Sequence, residues 1–216
     1  AMTAIPKSPA LMAAMSGAML FHVFISAGYY DQLWFVQERN FDKDEILKLT
    51  GFIGLAGGLT GNFVGGIGSD WFAKKTGYGR LVFLSLVLII CAPFIIAYRL
   101  APGDSIWIPV GLFVGMFQIG AFFGPFFASI QGLIPPEVRS TVIAFSIFLM
   151  NVIGIGIGIT LAGLSIDLMI SYGIEEPYSL TLIGFSLFSF LAMPCFLFAG
   201  LRYNHDREKL NITESL

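Results

Sequence analysis

Six long apolar runs, joined by short polar connections, constrain this chain more than any other feature. They fall at about 9–36, 46–72, 80–100, 105–133, 137–168 and 179–202 of the 216 residues. A helix needs roughly 20 apolar residues to cross the hydrocarbon core of a bilayer, so six spans with short loops use up nearly the whole length. Backbone groups in lipid must find partners within their own segment or in a closed barrel. These runs are too long and too unalternating for barrel strands, so the spans are helices. With 56% hydrophobic and 12% charged residues and a mean hydropathy of +0.81, the chain is far from a soluble domain, which averages about 25% charged. The expected fold is all-α, a polytopic membrane protein of six transmembrane helices filling residues 1–216, with 1–8 a lead-in and 203–216 a tail.

Charge sets orientation and excludes one class of partner. A net charge of −2 offers no basic field, so nucleic acid is not a partner. Lys7, Lys74, Lys75, Arg80, Arg139, Arg202, Arg207 and Lys209 fall on one side of the six spans. Arg39, Lys43, Lys48 and Arg99 fall on the other, among Glu38, Asp42, Asp44, Glu45, Glu175 and Glu176. Basic residues stay cytoplasmic, which puts both termini inside a cell membrane. Ala1-Met2-Thr3 leads into a full-length span without a basic stretch, so no cleavable signal is expected. The Asn211-Ile212-Thr213 sequon then lies in the cytoplasmic tail and is read as unglycosylated. Cys91 and Cys195 sit singly in different apolar runs without metal-ligand spacing, as packing residues; no metal or cofactor is expected.

Polar side chains at the membrane midplane are costly, so their distribution is informative. His22 lies near the middle of the first run, Thr60 and Asn62 of the second, Gln118 of the fourth and Asn151 of the fifth. The third and sixth carry only Ser, Thr and Cys in their central turns. The order polar, polar, apolar, twice over, suggests two three-helix repeats whose third members face lipid. His22, Ser26, Tyr29 and Tyr30 fall at helical spacing on one face, a stripe running outward. His22 is read either as a proton-coupling or substrate-contact group or as a neutral imidazole bonded to a neighbouring helix. Asp31 is read first as an exposed residue near the outer interface, with a place on the substrate or proton pathway as the alternative. Gly57, Gly61 and Gly65 form a small-residue ridge on the second run, and Gly154, Gly156 and Gly158 on the fifth. Such ridges call for close helix partners, within this bundle or beyond it.

Three motifs go further. The second run closes Gly65-Gly66-Ile67-Gly68-Ser69-Asp70-Trp71-Phe72-Ala73-Lys74-Lys75, where Asp70 can cap or pair with a neighbouring helix start. The fourth run leads through Gly124-Pro125, Ile130-Gln131 and Pro135-Pro136-Glu137-Val138-Arg139. Proline and an acidic residue suit the first turn of the next helix there. The fifth reads Asn151-Val152-Ile153-Gly154-Ile155-Gly156. Together these resemble the major facilitator superfamily, most closely its spinster-like branch, and the resemblance covers the whole chain as the C-terminal six helices of a twelve-helix transporter.

That resemblance implies a secondary active transporter, by symport or antiport, that works by alternating access. Its partner would be an absent N-terminal six-helix half or a second copy, and its substrate a small organic or amphipathic, lipid-like molecule. It assigns His22, Ser26, Tyr29, Tyr30, Asp31, Asn62, Gln118 and Asn151 to the substrate or proton pathway, with proton coupling left open. It assigns Gly66, Asp70, Lys74, Lys75, Glu137 and Arg139 to a cytoplasmic charge lock that stabilises the outward-open state. Trp71 and Ala73 depart from the Arg and Gly usual in the family's loop. A six-helix substrate-binding subunit of an ATP-driven vitamin importer fits the size, and Ala10, Ala14 and Ala18 give it a small-residue ridge, but it leaves the loop and Pro-Pro turn without a role. An intramembrane serine protease needs Gly-x-Ser-Gly and a histidine on another span. Ser16-Gly17 follows Ala14-Met15 and His22 shares its helix, so no enzyme is expected.

Overall fold

In the computed structural model, residues 8–210 are described; Ala1-Met2-Thr3, Lys7 and the Asn211 sequon lie outside them. Each apolar run becomes one long helical segment, and among the described residues there is no strand. The first runs through Pro9–Glu38, the third through Arg80–Leu100, the fourth through Trp107–Gly132, the fifth through Pro136–Ser171 and the sixth through Pro177–Lys209, each long and apolar enough to cross a membrane. The second spans 43–76 as an α-helix Lys43–Phe63, a π-helical stretch Val64–Gly68 and a last α-helix Ser69–Thr76. Its glycines and Asn62 dilute its apolar content, and it falls just short of that criterion.

Local chemistry places the ends. Ser8 caps the first helix by accepting the Leu11 amide at 3.1 Å, and Asp42 caps the second through the amides of Asp44 and Glu45. Gly77 follows the second helix in the left-handed region (φ 76°) that glycine reaches without penalty. The sixth helix runs on to Lys209, through much of the expected tail. Both described ends meet: Asp206 accepts from the Ser8 hydroxyl at 2.9 Å and the Ala10 amide at 2.8 Å.

Packing pairs the second helix with the fourth and the first with the fifth. The third lies between the fourth and sixth, and the sixth also packs along the first. The core is built from Leu11, Ala14, Phe21, Phe122, Phe126 and Phe196. The third helix is therefore not simply lipid-facing. Leu84, Leu88 and Ile95 are buried while Leu86, Ile89 and Ile90 point outward. The ridge on the second helix finds its partner inside this chain; on the fifth, Gly154 and Gly158 face the first helix while Gly156 is exposed and meets only its own helix. A Cβ on Gly57, Gly61 or Gly65 would strike the backbone at Phe113, Phe117 or Ala121 of the fourth helix, whereas Gly58 and Gly66 face open space.

Candidate functional site

The stripe on the first helix is split by a single 3-10 turn, Gly28–Tyr30. His22, Ser26 and Tyr30 stay in line and face the fifth helix, where a Cβ on Gly154, Gly158 or Gly163 would run into each in turn. His22 is 4% exposed. Its ring meets Phe122 edge-on at 5.4 Å, and Nδ1 lies 2.7 Å from the Ala18 carbonyl of its own helix. Ser26 donates to the Val23 carbonyl at 2.6 Å and Tyr30 to the Ile159 carbonyl at 3.1 Å. These three form a seam between helices, not an open face. Tyr29 turns away from them and is exposed.

Asn62 and Asn151 are exposed on the second and fifth helices. Each donates back along its own helix, to the Gly58 carbonyl at 2.9 Å and the Ile147 carbonyl at 2.8 Å. Gln118 is buried within the bundle. Asn151 lies in a second π-helical stretch, Met150–Ile157, matching the one at Val64–Gly68. Both stretches are glycine-bearing, and π-helical turns of this kind concentrate at functional sites.

The largest correction concerns Asp31 and Arg99. The sequence places Arg99 at the end of the third run, among the four basic residues of one side, and reads Asp31 first as exposed near the interface. In the structure Arg99 is 1% exposed and its Nη1 donates to Asp31 at 2.6 Å. Its guanidinium lies 5.1 Å from the Trp34 ring and 4.7 Å from that of Tyr98. Arg39 covers Trp34 too, at 5.1 Å, and donates to Ser179, while the Glu38 carboxylate accepts the amides of Tyr178 and Ser179 at the start of the sixth helix. One polar cluster thus ties together the ends of the first, third and sixth helices that lie away from the two termini. The signal was present in the sequence: a charge inside each of two apolar runs is affordable only if the two meet. Beside the pair lies a cavity of about 260 Å³ between the first, third and fourth helices, lined by Phe24, Tyr29, Asp31, Tyr98, Arg99 and Met116 among others.

At the opposite end, Asp70 pairs with Arg80 at the start of the third helix, as a helix-start contact for this aspartate would have it. Lys75 lies 4.9 Å over the Trp71 ring. Arg139 is half-buried, its Nε has no hydrogen-bond partner, and the ion pair of Asp70 is with Arg80 and not with Arg139. Glu137 and Lys74 are exposed, and Gly66 is half-buried with open space beside it. Among the described residues no group of three or more His, Cys, Asp or Glu could hold a metal ion.

No family model matches the chain and no curated protein matches it. Among solved structures it is similar to a bacterial homolog of the human lysosomal transporter Spinster, in an inward-facing and unoccupied conformation. The TM-score is 0.76 at 16% identity, over 96% of this chain and 51% of that one. The chain thus spans about half the length of that transporter. At such low identity the likeness is one of fold: this polytopic membrane protein has the helical fold of about half of that Spinster homolog.

Proposed function

We propose that the chain is one half of a secondary transporter that moves a small organic or amphipathic, lipid-like molecule by alternating access. The observation that carries this reading is the match of 96% of the chain to one half of a transporter captured inward-facing. The helix contacts support a build of two three-helix repeats. Exchanging the first helix with the fourth, the second with the fifth and the third with the sixth turns the second–fourth contact into the fifth–first. The same exchange turns third–fourth into sixth–first and leaves third–sixth in place. The two π-helical stretches also exchange, as second with fifth.

In this reading the exposed Tyr29, Asn62 and Asn151 line the cavity against an absent half or a second copy. His22, Ser26 and Gln118 lie behind that surface, and both termini are cytoplasmic. An apolar groove of about 610 Å³ between the first, fifth and sixth helices, lined by Met19, Val23, Leu161 and Phe188 among others, suits an acyl chain. Asp70 and Arg139 form the charge lock in the opposite state.

Single cysteines at Asn62 and Asn151, in protein reconstituted into liposomes, test the reading. Each should react with a membrane-impermeant maleimide from one side at a time, and the reactive side should shift when an amphiphile is added. Labelling from one side only under every condition would overturn alternating access.

A further inference from the structure

The sixth helix runs roughly two turns past its apolar run, to Lys209. Crossing a membrane does not require such a polar extension to pack against anything, yet this one is built into the bundle. Asp206 holds the start of the first helix through the Ser8 hydroxyl and the Ala10 amide. Asn204 donates to the Gly77 carbonyl at 2.6 Å, and the Gly200 carbonyl accepts the Gly79 amide at 3.1 Å. These last two bonds pin both ends of Gly77-Tyr78-Gly79, the loop between the second and third helices. The approach leaves no room for a side chain. A Cβ on Gly79 would meet the Gly200 carbonyl and the Tyr203 Cβ, each at 2.8 Å, and one on Gly200 would meet the Val82 amide at 2.5 Å.

That loop joins the two partners of one ion pair. Asp70 lies on the last turns of the second helix, and Arg80 is the residue after Gly79. Tyr203, 8% exposed, reaches the other side as well. Its Cβ lies against Gly79, and its hydroxyl lies where a Cβ on Gly132 would stand, at the end of the fourth helix. From Gly132 the chain leads through Pro135 and Pro136 to Arg139. One short stretch of helix thus touches the approach to Arg80 and the approach to Arg139, the two arginines between which the charge lock would pass Asp70. A partly exposed ion pair and a single hydrogen bond have net worths of the same order, so a tie of this kind is enough to bias which arginine holds the carboxylate.

We propose that residues 200–206 form a brace that holds the loop between the second and third helices, and with it the Asp70–Arg80 pair, so that releasing the loop passes Asp70 to Arg139. Asn204 is the positioning residue, acting through the Gly77 carbonyl, while Asp206 fixes the brace itself against the first helix. This rests on the transporter reading and names what sets the balance between its two states.

Spin labels at positions 74 and 140 of the complete protein in lipid nanodiscs separate a longer distance, with Asp70 on Arg80, from a shorter one, with Asp70 on Arg139. Asn204 is exposed, so replacing it costs the fold little beyond one hydrogen bond. Asn204→Ala should raise the ratio of shorter to longer about two- to ten-fold, the worth of one hydrogen bond. Asn204→Asp, of equal size but with a carboxylate that cannot donate, should do the same. His205→Ala, one residue along and also exposed, should leave the ratio alone. In an Arg139→Gln background, where Asp70 has no second arginine to go to, Asn204→Ala should change nothing, whereas a loop that is merely loosened would shift the distances in either background. An unchanged ratio in both Asn204 variants, an equal shift from His205→Ala, or a shift that survives Arg139→Gln would overturn the brace. Two distances that neither Asn204 variant moves, in a protein that carries an amphiphile across liposome membranes, would sink the brace and leave the transporter reading standing. A ratio that follows Asn204 in a protein that moves no amphiphile would do the reverse.

Discussion

Gly58 and Gly61 lie less than one turn apart on the second helix, yet one is open to substitution and the other is not. A Cβ at Gly61 would meet the Phe117 carbonyl, while nothing lies within 4 Å of one at Gly58. Gly58→Ala should leave the fold intact and raise stability by up to about 1 kcal/mol, the propensity difference between the two residues in a helix. Gly61→Ala must push the second helix off the fourth and should lower stability by about 1–3 kcal/mol, the usual cost of overpacking. Thermal unfolding of the two variants in detergent checks this, and equal effects would mean that the ridge is not a contact. The ridge itself was legible from four-residue spacing; its partner was not, because spacing says only that something must come close. Asp31 and Arg99 were misread for a related reason. Hydropathy scores residues one at a time, and a buried ion pair exists only between helices distant in sequence. The sequence likewise grouped Tyr29 with His22, Ser26 and Tyr30 by spacing, whereas in the structure Tyr29 is exposed and the other three meet the fifth helix.

Among the elements, the first helix depends on the last. Its N-terminal amides are met by Ser8 and by Asp206, which is 1% exposed and also held by Arg202 at 3.1 Å. A carboxylate at a helix N-terminus satisfies free amides and opposes the helix dipole. Asp206→Ala leaves the Ser8 hydroxyl and Ala10 amide without that acceptor, and should cost about 1–3 kcal/mol, read as an earlier thermal transition. Asp206→Asn keeps an acceptor oxygen and should recover part of the loss. This contact was hidden in the sequence because Asp206 falls beyond the last apolar run, in what reads as a polar tail. Helix existence, by contrast, followed from apolar length alone, and the run boundaries agree with the helices to within a few residues except at that tail.

For the whole molecule, the decisive contacts are those that could differ between two states. Asp70 now pairs with Arg80, both partly exposed, and Arg139 at the start of the fifth helix has a buried Nε that bonds to nothing. If rocking carries the end of the second helix toward the start of the fifth, the carboxylate can exchange one arginine for the other with no change in charge. An exposed pair of this kind is worth about 0.2–1 kcal/mol, enough to shift a balanced two-state population by up to about five-fold. Spin labels at the exposed positions Lys74 and Ser140 should therefore give two distances in the complete protein. Arg139→Gln should enrich the longer one and Arg80→Gln the shorter. Asp70→Asn, which weakens both pairs, should make the balance insensitive to either arginine. A distribution that none of these substitutions moves would mean that Asp70 only anchors the third helix, and that the gate of this half lies elsewhere.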